Sequence, residues 1–116
     1  MKLLAIARVV HEANRAVQIE QADPSIPITA HWDEIGHEMQ DSAFQGVVGV
    51  VNGNTPEQSH ASWVRFKETH GWVLGPVKSE ALRQHPLLVP YDALPPDAKV
   101  KDALFVAIVN ALKETE

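Results

Sequence analysis

A single, mainly α-helical domain is predicted: a compact bundle of about four helices with one short extended or hairpin-like segment and a proline-rich ordered connection. Three observations predict it. Apolar residues recur at three- and four-residue spacing towards both ends of the chain. A helix start, T-P-E-Q, sits in the middle at Thr55 to Gln58. The 116 residues, 45% of them apolar, suffice for one core, because a chain of this size hides roughly 65% of its unfolded surface. No internal repeat, low-complexity tract or second domain is visible, so residues 1–116 read as one unit.

From Leu3 to about Gln21, the residues Leu3, Ile6, Ala7, Val10, Ala13 and Val17 share one stripe and define the first helix. Beside that stripe His11, Asn14, Arg15 and Gln18 follow i, i+3, i+4, i+7, so four polar groups stand in one row. They form either a solvated face or a row of ligand contacts. Pro24 and Pro27 mark the next segment as a connection. A second helix is predicted from about His31 to Asn52 on Trp32, Ile35, Met39, Phe44 and the valines at 47, 48, 50 and 51; Gly46 and Gly49 leave a short strand open for its later half.

The third helix begins at Pro56, behind a Thr55 N-cap and a Gln58 that completes a capping box, and Gly71 ends it after about His70. The stretch WVLGPVKS then reads as extended or hairpin-like. Residues 85–97 hold four prolines in 13 positions and are expected to wrap the core, pinned by Leu87, Leu88, Val89, Tyr91 and Leu94. The last helix runs from about Pro96 to Lys113, with Val100, Leu104, Ala107, Ile108, Ala111 and Leu112 on its buried face and Asp97 complementing its N-terminal dipole.

Charge is unevenly spread along the chain, whose formal total is −5 with six histidines neutral. Residues 1–59 carry three basic and eight acidic groups, residues 60–85 four basic and two acidic, and residues 86–116 three basic and five acidic. The basic middle also holds His60, His70 and His85, which points to a local anion site. The overall negative field argues against a nucleic-acid polymer as partner. No run approaches the roughly 18 apolar residues of a membrane span. The apolar start is broken by Arg8 and lacks a small-residue cleavage pattern, so it reads as helix rather than signal peptide and the expected location is cytoplasmic.

The absence of cysteine excludes disulfides, Cys-ligated zinc, iron–sulfur clusters and thiol nucleophiles. No phosphate loop, dinucleotide fingerprint, G-x-S-x-G or H-E-x-x-H is present, so no enzyme activity and no cofactor is expected. His31 and His37, six apart on the predicted second helix, point away from each other, so no metal site is expected there.

The residues with chemistry to offer lie in the third helix. His60, Trp63 and Lys67 stand at i, i+3 and i+7 and share one face. An indole offers a flat surface to a planar ring, an imidazole a hydrogen bond, an ammonium a partner for an anion. Trp72 stands ready as a second wall, and Lys78, Arg83 and His85 add positive potential. The competing assignment makes Trp63 and Trp72 core residues, His60 a satisfied partner and Lys67 a surface cation.

The segments ARVVHEANRA, SHASWVRFKETHGWVLGPVKSE and HPLLVPYDALPPDAKVKDALFVAIVNAL together resemble the RyR domain, the repeat of ryanodine receptors that also occurs in small single-copy bacterial and phage proteins. The resemblance rests on H-x-x-W-x-x-x-K running into G-W-x-x-G, then H-P-x-x-V-P-Y and a K-x-x-D helix start. It implies a helical, non-enzymatic module whose motif residues, here His60, Trp63 and Lys67, contribute to holding adenine nucleotides. Trp72, Lys78, His85 and Tyr91 are brought into the same wrap, and His11, Asn14, Arg15 and Gln18 belong to the matching first segment. The chain departs from the pattern at Leu74, where many members carry Tyr, and at Ser79, where Asp often follows the lysine.

The expected function is non-enzymatic binding of a nucleotide-derived anion, an adenine nucleotide, cyclic nucleotide or ADP-ribose-type signal, as a sensor or a phage-type sponge. The alternative is a protein-interaction or scaffold domain without a pocket. Because such repeats come in tandem pairs in receptors and this chain holds one, a homodimer or larger homo-oligomer is also expected.

Overall fold

A computed structural model describes residues 1–115. Four helices, α1 (Leu3–Gln21), α2 (His37–Val51), α3 (Pro56–Thr69) and α4 (Pro96–Leu112), carry the fold. Two-residue strands β1 (Val73–Leu74) and β2 (Gln84–His85) and 3-10 turns at Trp32–Glu34 and Tyr91–Ala93 complete it. The mainly helical class is as predicted.

The core is made by three helices. Ile6, Ala7 and Val10 of α1, Val47 and Val50 of α2 and Val106 and Val109 of α4 pack together with Trp32, all buried. Gly46 lets α2 approach α4 closely: a Cβ there would stand 2.9 Å from Cζ of Phe105. This settles the valine-rich segment as helix rather than strand. By contrast, the buried residues of α3 are His60 and Lys67. α3 therefore faces something other than apolar core.

Local chemistry explains each boundary. α1 ends where Ala22 turns left-handed (φ 49°) and its N–H donates to the Gln18 carbonyl. α3 starts on a complete capping box: the Gln58 N–H donates to Thr55 Oγ1 (3.2 Å), and the Thr55 N–H to Gln58 Oε1 (2.9 Å). Gly71 follows α3 at φ 85°, a conformation a side chain resists.

Two expectations need correction, and one alternative is decided. The second helix does not begin near His31. There Glu12 Oε2 accepts the Trp32 N–H (2.9 Å) and the Trp32 carbonyl accepts from Gln40 Nε2 (2.9 Å), so the backbone groups that would open a helix serve side chains instead. The chain makes one 3-10 turn, and α2 starts after Gly36. The segment after α3 takes the extended alternative and not the hairpin-like one: β1 pairs in parallel with β2, Val73 beside Gln84 and Leu74 beside His85. Finally, Val100 is 54% exposed, and Ala107 and Ala111 are exposed too. α4 is apolar nearly all round, so its sequence did not mark the buried face, which runs through Ala98, Val106 and Val109.

The proline-rich connection wraps as expected, with Leu94 buried and Leu87, Leu88, Val89 and Tyr91 half-buried. No described helix is long and apolar enough to cross a membrane.

Candidate functional site

Between α3 and the three-helix core lies a cavity of about 540 Å³. α3 supplies His60, Trp63, Phe66 and Lys67 to its wall, and α4 supplies Lys101, Asp102 and Phe105. His11, Asn14 and Gln18 come from α1, and Lys78 and His85 from the segment after α3. Eight of the eleven predicted site residues thus border one space; Arg15, Trp72 and Tyr91 do not.

The helical face of α3 is set up as its spacing requires. His60 is 4% exposed, and its Nε2–H donates to the Val89 carbonyl (2.8 Å). That bond leaves Nδ1 toward Asp102 Oδ2, 3.6 Å away. Trp63 is half-buried and stands outside the core, its ring 5.6 Å from that of His60 and 4.9 Å edge-on from that of His85. Lys67 is 5% exposed and sits over the Trp72 ring, 4.6 Å from its centroid.

Trp72 serves from behind the wall. It is buried, and its indole N–H donates to Glu38 Oε2 (3.1 Å), a carboxylate also gripped by Arg83 at 3.0 and 3.1 Å. The Arg83 bond holds Glu38 below the usual carboxylate range. Tyr91 packs beside His60 (6.2 Å between rings), with Lys99 over its own face.

The polar row of α1 clamps the connection that follows it. His11 Nε2–H donates to the Ala30 carbonyl (2.8 Å) and Arg15 Nε to the Thr29 carbonyl (2.7 Å). Gln18 closes a two-point bond with Thr29, accepting its N–H (2.9 Å) and donating to its Oγ1 (3.0 Å). His11 and Gln18 are buried, which corrects the picture of a solvated face, and Arg15 is occupied with the loop and with Glu12 and His31.

Burial shapes the charges. It pushes Lys67 and Lys101 below the usual ammonium range, and lowers Lys78, which Lys67 also repels, to about 8. It depresses His85 to about 3, reinforced by Lys78, Lys67 and Lys101, so that imidazole is neutral. Burial also raises the Asp102 carboxyl against the pull of His60. Lys101, Asp102 and Phe105 were not singled out from sequence, although Asp102 is the acidic residue of the K-x-x-D helix start; the apolar surroundings on α4 hid which face they occupy.

Fold and cavity together define a small helical domain with a half-open pocket bordered by three lysines. The chain belongs to the RyR domain family, whose model matches residues 45–113. The match takes in α3, both strands and α4, while α1, which closes the cavity from the other side, lies outside it. No curated protein and no solved structure matches the chain.

Proposed function

We propose that the cavity is a non-enzymatic binding site for a nucleotide-derived anionic ligand, an adenine nucleotide, cyclic nucleotide or ADP-ribose-type molecule, in a cytoplasmic sensor or sponge. One observation carries this reading: the buried face of α3 consists of His60 and Lys67, with the half-buried Trp63 between them, all bordering one cavity. A helix that buries an ammonium outside any ion pair, as α3 does with Lys67, loses stability by doing so unless something else compensates. A planar ring against Trp63, a polar contact at His60 and an anion at Lys67 supply that return on binding. The volume lies within the range of small-molecule sites.

The test is calorimetric titration with adenine nucleotides, cyclic nucleotides and ADP-ribose, with ligand recovered after denaturation. Saturable binding and unaltered ligand support the proposal. Chemically altered ligand contradicts a sensor or sponge and supports an enzyme.

A second reading, an interaction module that self-associates, draws on the exposed apolar residues Val73, Leu74, Val77 and Leu82 around β1 and the loop after it. Light scattering at micromolar concentration checks it: a strictly monomeric mass rejects the homo-oligomer.

A further inference from the structure

We infer that the cavity carries a second pole, a seat for phosphoryl oxygens bearing two negative charges, made by Lys67, Lys78 and Lys101 together with His85 and Thr29. This rests on the ligand-site reading above and deepens it, by fixing the charge of the ligand and adding Lys101 and Thr29 as residues that select for it.

The pole offers only donors. Lys67, Lys78 and Lys101 come from α3, the loop before β2 and α4, and all border the cavity. The ion pairs among the described residues use Arg8, Arg15, Arg83, His31 and His60, and no lysine. Glu38 and Glu80 act on Lys67, and Asp23, Asp97 and Asp102 on Lys101, from beyond ion-pair distance; Glu38 is already held by Trp72 and Arg83. Lys78 Nζ donates to Thr29 Oγ1 (2.9 Å), which also accepts from Gln18 Nε2 (3.0 Å). With two donors already on that oxygen, the threonine hydroxyl has its own proton left to give. His85 Nδ1 accepts the Leu87 N–H (3.1 Å), which puts the proton of its neutral ring on Nε2, where no acceptor among the described residues is bonded.

Phosphoryl oxygens are acceptors, the complement of such a set. The charge count agrees: three ammonium groups border the cavity against the two carboxyl groups of Asp41 and Asp102, in a chain whose total is −5. An acidic protein that gathers unpaired lysines in one cavity bears both their burial and their mutual repulsion, and a dianion relieves both.

The experiment is calorimetric titration at pH 7 and fixed low salt with adenosine, AMP, ADP and inorganic pyrophosphate, on wild type, Lys78→Met, Lys101→Met and the remote Lys113→Met. ADP is expected to bind at least about 30-fold more tightly than adenosine, and each cavity variant to weaken ADP about tenfold, the worth of one charge-assisted contact. Adenosine binding and the Lys113→Met variant stay unchanged. Without ligand, Lys101→Met melts at a higher temperature than wild type, because a half-buried ammonium outside any ion pair is gone; a lysine with a purely structural role would give lower melting.

If adenosine and ADP bind equally, or ADP is indifferent to both variants, the seat is overturned and the ring site survives. Pyrophosphate binding that Lys101→Met weakens, with nothing added by the adenosine moiety, keeps the seat and overturns the ring site. No binding by any compound overturns both.

Discussion

Trp63 and Trp72 lie nine residues apart and do different work, which makes them the sharpest comparison at the residue scale. Trp63→Ala removes a half-buried ring from the cavity wall, so it is expected to abolish ligand binding at a stability cost of about 1 kcal/mol. Trp72→Ala removes a buried indole that bonds Glu38 and lies beneath Lys67, and is expected to cost about 3–5 kcal/mol by urea denaturation. The titratable groups act in opposite directions. His85 is depressed from 6.5 to about 3, so its contribution is present above pH 6.5 and is lost as pH falls towards 3; His85→Gln should flatten that acid limb by on the order of 5 kcal/mol. Asp102 is raised above its usual 3.8, so its contribution is present below that value and lost as pH rises through about 6. Asp102→Asn should therefore gain on wild type between pH 4 and 7. Stability–pH profiles of the two variants check both signs.

At the element scale, α3 depends on its cap and α2 on its glycine. Thr55→Ala removes one half of the capping box and is expected to cost about 1 kcal/mol, with faster amide exchange confined to the first turn of α3. Gly46→Ala drives a methyl against Phe105 and is expected to cost about 1–3 kcal/mol in thermal melts. The capping box and the three- and four-residue spacing of His60, Trp63 and Lys67 were legible in the sequence because both are local. α1 was legible from its stripe. The start of α2 was not, because the groups that replace it, Glu12 and Gln40, act across the chain on Trp32. The parallel pairing of β1 and β2 was equally hidden, since two-residue strands carry no periodicity. Lys101 escaped notice because α4 is apolar on nearly every side, so nothing in its pattern tells cavity from solvent.

The whole molecule is two structures in one: an apolar core shared by α1, α2 and α4, and a cavity of mixed apolar and cationic lining between that core and α3. The basic middle segment furnishes two of the three cavity lysines, Lys67 and Lys78, and the acidic C-terminal segment furnishes the third, Lys101. If the cavity binds as proposed, ligand at about 100 times Kd should add about 2.7 kcal/mol of stability. The most direct measurement is a calorimetric titration of the folded protein with ADP, repeated on Trp63→Ala with its fold checked by circular dichroism. Saturable one-site binding in wild type, lost in the variant, is the predicted result. A folded wild type that gives no binding heat with ADP, cyclic nucleotides or ADP-ribose would contradict the account.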